Sequence, residues 1–247
     1  MSGHSKWATI KRKKAVNDQK RASQWTKLIR EITVAAKAGG GDPGGNPRLR
    51  LAIDQGRAAN MPNENIERAI KKGTGDLGGV EYQEVVYEAY GPGGVAIYIE
   101  GLTENLNRTV ADVRHALSKN GGNLGTSGSV AWMFEHKGQF IFDSDEVDEG
   151  VLLEAALEAG AEDMQTGDGS AIVYTLPGDF LTVQDALRAQ GLHWESAELA
   201  RVPTTTIRVE GNDAIKLVKL LDVLEDLDDV QKVYTNGDID EASLVGA

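Results

Sequence analysis

Residues 84–100 read EVVYEAYGPGGVAIYIE, and the hydrophobic period of the chain changes here. Glu84 to Tyr90 and Val95 to Glu100 are alternating runs rich in β-branched and aromatic residues. Gly91-Pro92-Gly93-Gly94 between them is turn chemistry. The pair predicts two strands joined by a tight turn. The periodic segments upstream of residue 80 are helical, and most of the chain beyond residue 100 mixes the two.

Upstream, Trp25, Leu28, Ile29, Ile32, Ala35 and Ala36 recur every three or four residues and predict a helix over 22–38 with one apolar stripe. Gly39-Gly40-Gly41 ends it. The stretch GGGDPGGNP, 39–47, reads as a flexible loop, and Gly39–Gly45 within it as a joint that would let the helical domain swing. Asn46 is placed to cap a second helix that opens on Pro47, runs to about Asn60 and buries Leu49, Ala52, Ile53 and Gly56. A third, from about Pro62 to Gly73, buries Ile66, Ala69 and Ile70. Glu64 with Arg68 and Glu67 with Lys71 are favourable pairs on its outer face. Three such helices close a small bundle.

Downstream of residue 100, a helix is expected over 105–119, stopped by Gly121-Gly122, with strands at Val130–Phe134 and Gln139–Phe142. A helix at 148–159, strands near 162–166 and 171–175, a helix at 180–190 and a strand near 195–201 complete the β-α-β-β-α-β order of a ferredoxin-like unit. A last β-α-β comes after it: Thr206–Val209, Asp213–Leu227 and Val230–Tyr234. Alone it is too small for a core, so it is expected to return and pair with the strands of 80–134. The fold class is therefore α+β in three domains. A helical bundle occupies 1–78, an α+β domain 79–135 together with 204–240, and an inserted ferredoxin-like domain 136–203.

The chain has 247 residues, 40% of them apolar, enough for a core in each of these parts. No run of 18 apolar residues exists, which argues against a membrane span. The polar, basic start Met1–Ala15 does not resemble a secretory signal. Cysteine is absent, which removes thiolate metal sites and suits a reducing, cytoplasmic setting. The net charge of -12 hides a division. Residues 1–75 carry 16 Lys and Arg against 6 Asp and Glu, a balance of +10; residues 76–247 carry 10 against 32, a balance of -22. A polyanion would be drawn to one end and repelled by the rest.

Catalytic signatures are missing. His4, His115, His136 and His193 show no metal-ligand spacing, and neither a nucleophile elbow nor a phosphate-binding P-loop occurs. No catalytic residue, cofactor, metal or small-molecule substrate is assigned, and the sequence predicts a non-enzymatic protein. The loop Gly121-Gly122-Asn123-Leu124-Gly125-Thr126-Ser127-Gly128-Ser129 has two readings. It is a helix-to-strand turn needing positive φ, or a nest of backbone N–H groups for an anion. The turn is favoured, because glycine-rich loops alone are weak signals.

The basic end is the strongest signal. Lys6, Lys11, Arg12, Lys13, Lys14, Lys20, Arg21, Lys27 and Arg30 all precede Glu31, and Arg48, Arg50 and Arg57 extend the set. Such a row gains affinity for phosphates by releasing counterions, and six contacts would give a log–log salt slope of about -5 on duplex DNA. The first 21 residues hold few apolar side chains and read as an arm that becomes helical on contact. Trp7 reads equally as a base-stacking residue and as a core anchor; Trp25 reads as core. Nothing here encodes base-specific contacts, so DNA and RNA, ribosomal RNA included, both stand as partners. The sequence assigns no oligomeric state.

GHSKW at 3–7, TKLIREITVAAKAGGGDPGGNPRLRLAI at 26–53, YGPGG at 90–94, NRTV at 107–110 and HALSKNGGNLGTSGSVAWMF at 115–134 strongly resemble the YebC/PmpR family, to which a mitochondrial translational activator of a cytochrome oxidase subunit also belongs. The resemblance extends to LEDLDDVQKVYTNGDI at 224–239 and is least distinctive over 136–205. It implies three domains and a cytoplasmic transcriptional regulator that binds DNA. For other members it implies a ribosome-associated, RNA-binding translation factor that relieves stalling, for example at polyproline stretches. Where the family often has Phe before the Thr-Lys of TKLIRE, this chain has Trp25, still an aromatic anchor.

Overall fold

The computed structural model describes residues 18–78, 81–167, 169–240 and 243, with side chains in the first helix from residue 23 onward. In chain order the main elements are α1 (Asp18–Gly39), α2 (Pro47–Ala58), α3 (Asn63–Thr74), β1 (Gln83–Tyr90), β2 (Ala96–Thr103), α4 (Leu106–Lys119), β3 (Asn123–Leu124), β4 (Phe134–Asp143), α5 (Glu149–Ala159), β5 (Asp163–Gly167), β6 (Ser170–Thr175), α6 (Phe180–Ala189), β7 (Ser196–Pro203), β8 (Ile207–Val209), α7 (Gly211–Glu225), β9 (Val230–Thr235) and β10 (Gly237–Ile239).

The helical unit buries the stripe its spacing predicts. Ile32, Ala35 and Ala36 of α1 meet Leu49, Ala52 and Ile53 of α2 and Ile66 and Ala69 of α3. Trp25 lies along this core, and its indole N–H donates to the Ala59 carbonyl at 3.0 Å. One expectation changes. The 39–47 loop lies inside the helical unit, between α1 and α2, so it does not govern movement of the unit as a whole. Its buried Asn46 also clamps it. The Asn46 amide donates to the carbonyls of Ala35 (2.8 Å) and Gly40 (2.9 Å), and its side-chain oxygen accepts from Leu49 N. Gly73 is the next-to-last residue of α3, within one residue of where the sequence ends that helix. A Cβ there would lie 2.3 Å from the Thr33 carbonyl oxygen and 2.7 Å from Ala36 Cβ, so the residue is small because α1 and α3 touch at that point. The helix stops at Gly75, whose φ of 92° an L side chain rarely adopts.

The first sheet has the order β3-β1-β2-β9 and is antiparallel throughout. The return of the chain's last part is visible in the register of β2 with β9, where Tyr98 faces Tyr234. Helices α4 and α7 cover one face, packing Val113, Leu117, Leu217 and Leu221 against Ile97, Ile99 and Val233. β8 does not enter this sheet; it pairs in parallel with β10.

The second sheet, β5-β6-β4-β7, is also antiparallel and has the strand order of a ferredoxin-like unit. Helices α5 and α6 cover one face through Leu152, Val183 and Leu187, over Phe140, Phe142 and Val173. The uncovered faces of the two sheets meet. Ala96, Tyr98 and Tyr234 pack against Phe134, Ala200 and Val202, and Arg201–Glu100 (3.1 Å) and Lys232–Glu198 (2.7 Å) flank the contact.

The strand expected over Val130–Phe134 is replaced by a 3-10 turn at Ala131–Met133, and β4 starts at Phe134 and runs unbroken to Asp143. The N–H groups of Val130 and Ala131 donate to the Glu88 carboxylate, which removes them from any ladder.

Candidate nucleic-acid interface

Lys6, Lys11, Arg12, Lys13 and Lys14 lie outside the described residues, as does Trp7. Lys20 and Arg21 fall in the first turns of α1, on backbone whose side chains are not described. The structure gives the remaining five definite partners or positions, and four of them contact the acidic part of the chain.

Lys27 and Arg30 lie one turn apart on α1 and reach the corner between α7 and β9. Lys27 Nζ donates to the Glu225 carbonyl. Arg30 Nη1 donates to the carbonyls of Asp228 and Leu102 and pairs with the Asp229 carboxylate at 2.8 Å. Its guanidinium also stands 5.5 Å from the centre of the Tyr82 ring. The end of a helix presents unpaired carbonyl oxygens and negative partial charge, so cations dock favourably there. Asp229 is the buried centre of this corner. Arg108 grips it with two guanidinium nitrogens, Nη2 at 2.8 Å and Nε at 3.3 Å. The hydroxyls of Thr109 (2.7 Å) and Thr103 (3.1 Å) donate to it as well. Burial alone would raise its pKa; the bonds from Arg108 and Thr109 and the charges of Arg30 and Arg108 outweigh that and hold it below the ordinary aspartate value.

On α2, Arg48 forms a two-pronged pair with Glu31 (2.7 and 3.2 Å) and reaches Glu84 of β1 with its remaining arm at 2.5 Å. Arg50 pairs with Asp185 of α6 at 2.6 Å. Arg57 is exposed and, among the described residues, has only a long contact, 3.9 Å, to Asp54 of its own helix. Lys37 reaches Glu81 at 2.8 Å. On α3 the expected Glu64–Arg68 pair forms at 2.7 Å. The Glu67–Lys71 pair does not, and Lys71 and Lys72 are exposed without an ion pair among the described residues. Helical spacing offers Lys71 a partner in Glu67 that the fold does not supply, and no local pattern marks Lys72.

The glycine loop is a nest of N–H groups after all, but its anion is internal. The Glu88 carboxylate, on the face of β1 turned from α4 and α7, accepts from Gly128 N (2.6 Å), Val130 N (2.6 Å) and Ala131 N (2.7 Å). Gly125 N donates to the Glu88 carbonyl at 2.7 Å. Burial would raise this carboxyl's pKa; the three backbone donors hold it below the usual glutamate range. The turn reading is kept, with Gly121 at φ 81° and Gly128 at φ 84°. The loop displays Trp132, 71% exposed, with its indole N–H on the Ser129 carbonyl. Nothing in the local sequence linked Glu88 to this loop, because the contact spans 40 residues.

Among the described residues no group of three or more His, Asp and Glu side chains is arranged to hold a metal, and no helix is long and apolar enough to cross a membrane. The molecule is a three-part α+β protein, with a cation-rich helical unit docked through its charges onto a carboxylate-rich pair of back-to-back sheet units. It belongs to the TACO1/YebC family: residues 5–76 match the model of the TACO1/YebC N-terminal domain, and residues 82–237 match that of the TACO1/YebC second and third domain. A relative from Gemmatimonas aurantiaca is 57% identical over the full length of both chains. One from Acidithiobacillus ferrooxidans is 57% identical, covering 99% of this chain and 97% of its own. Both are named probable transcriptional regulatory proteins. The crystal structure of a conserved hypothetical protein from Aquifex aeolicus superposes with a TM-score of 0.82 at 49% identity, over 89% of this chain and 91% of that one.

Proposed function

We propose that this chain is a nucleic-acid-binding regulator of gene expression in the cytoplasm, binding DNA and acting on transcription without catalysing a reaction. The observation that carries the reading is the confinement of the positive charge to the first 75 residues, at +10, ahead of a body at -22. Phosphates would be gripped by Lys6, Lys11, Arg12, Lys13, Lys14, Lys20 and Arg21, with Arg57 and, when not engaged with the body, Lys27, Arg30, Arg48 and Arg50 beside them. The names of the relatives support the same role.

The test is fluorescence anisotropy on duplex DNA over a range of salt, for the chain and for a variant with Lys11, Arg12, Lys13 and Lys14 changed to Gln. The variant should bind more weakly, and its salt slope should flatten by about 0.9 for each phosphate that it no longer neutralises. Equal affinity and equal slope would remove these residues from the mechanism. Ultraviolet crosslinking in cells then reads the target: attached promoter DNA supports a transcriptional role, and attached ribosomal or messenger RNA replaces it with a translational one.

A further inference from the structure

Among the described residues, five cations of the helical unit reach the rest of the chain. The contacts run from Lys27 to the Glu225 carbonyl, Arg30 to Asp229, Lys37 to Glu81, Arg48 to Glu84 and Arg50 to Asp185. All five have the same polarity: the helical unit supplies the cation and the chain beyond residue 80 supplies the oxygen. Four of the five cations are residues that the charge pattern assigns to phosphate binding. We propose that the acidic body is a tethered competitor for nucleic acid, occupying the cationic face of the helical unit so that the docked and the nucleic-acid-bound states exclude each other. This inference rests on the polyanion-binding reading above and adds its regulation.

The geometry suits exchange. The side chains of Lys37, Arg48 and Arg50 are 55%, 41% and 36% exposed, so these pairs sit in solvent and are screened by salt. Apolar support for the docking includes Leu51 against the ferredoxin-like core. Covalent connection keeps the carboxylates close at high effective concentration. A polynucleotide offers the same oxygen anions in a regular row and adds counterion release. Arg30 is held more deeply than Lys37, Arg48 and Arg50, at 14% exposed, so its release from Asp229 costs more than theirs. Competition lowers the apparent affinity by the fraction of chains that are undocked.

The experiment weakens the competitor without touching the cationic face. Glu84→Gln with Asp185→Asn removes two exposed carboxylates of the docking contact. Glu154→Gln with Glu158→Gln, on the exposed side of α5, changes net charge by the same amount and serves as the control. Affinity is measured for a short duplex DNA and a single-stranded RNA. Docking is followed by the distance between labels at Asn63→Cys and Lys216→Cys, both exposed, since the chain has no cysteine of its own. The docking variant should bind about threefold tighter or more than the control, and saturating polynucleotide should lengthen the label distance. A docking variant that matches the control, or a distance that polynucleotide leaves unchanged, overturns the competition while leaving the binding function standing. Absence of binding by every variant at low salt removes the function, and the competition with it.

Discussion

Glu88 and Asp229 are both carboxylates buried to about the same degree, 6% and 5% exposed, and both are held ionised, but their surroundings differ in kind. Glu88 is bound by backbone N–H groups of one loop, groups that have nowhere else to go. Asp229 is bound by side chains, and one of them, Arg30, belongs to the helical unit. A carboxylate fixed by backbone is part of the fold. A carboxylate fixed by a cation from a separate unit is a joint that another anion can contest. The difference separates what the protein needs to stand from what it is able to change.

The contrast breaks most visibly at Glu88. Glu88→Ala leaves three N–H groups of a folded loop without an acceptor, and chemical denaturation should show a loss of about 3–5 kcal/mol. A loss below about 1 kcal/mol would mean that the loop keeps its shape without the carboxylate. Acid sharpens the contrast next. Both carboxyls have folded pKa values below their ordinary ones, so their stabilisation is complete above the ordinary range and is lost as pH falls through the folded values. Stability should be level above about pH 5 and decline below about pH 4. Along that decline, Trp132 fluorescence follows the Glu88 loop and the label distance follows the Asp229 corner. Asp229→Asn should reduce the acid dependence of the distance, which Glu81 still carries in part through Lys37, and leave that of Trp132 fluorescence unchanged. The smallest effect belongs to Arg50, whose pair with Asp185 is partly exposed: Arg50→Ala should cost less than about 1 kcal/mol in a thermal melt, while weakening DNA binding if the guanidinium meets phosphate.

Much of the architecture was legible in the order of residues. The three-residue and four-residue spacing of Trp25 to Ala36 identified the α1 core because burial in a helix must follow its period. The β-α-β-β-α-β order implied the second sheet. The size of the last β-α-β implied its return, and β9 does pair with β2. Two features escaped local reading for one cause. Gly73 lies near the end of its helix as read, but the contact between α1 and α3 at that point was not legible; Val130–Phe134 looked like a strand, but Glu88 takes its N–H groups. Each depends on a partner roughly 40 residues away, which no local pattern carries.

For the candidate interface, the sequence by itself determined where the positive charge lies, because charge is a property of each residue and its segregation can be counted. Only the tertiary structure decided which of those cations are engaged. Lys27, Arg30, Arg48 and Arg50 meet oxygens far away along the chain, from Glu84 to Asp229. Those meetings exist because the back-to-back sheets bring β1, α6 and the end of α7 to the surfaces that α1 and α2 touch. Attraction between opposite charges acts over distances in space, and folding alone sets them.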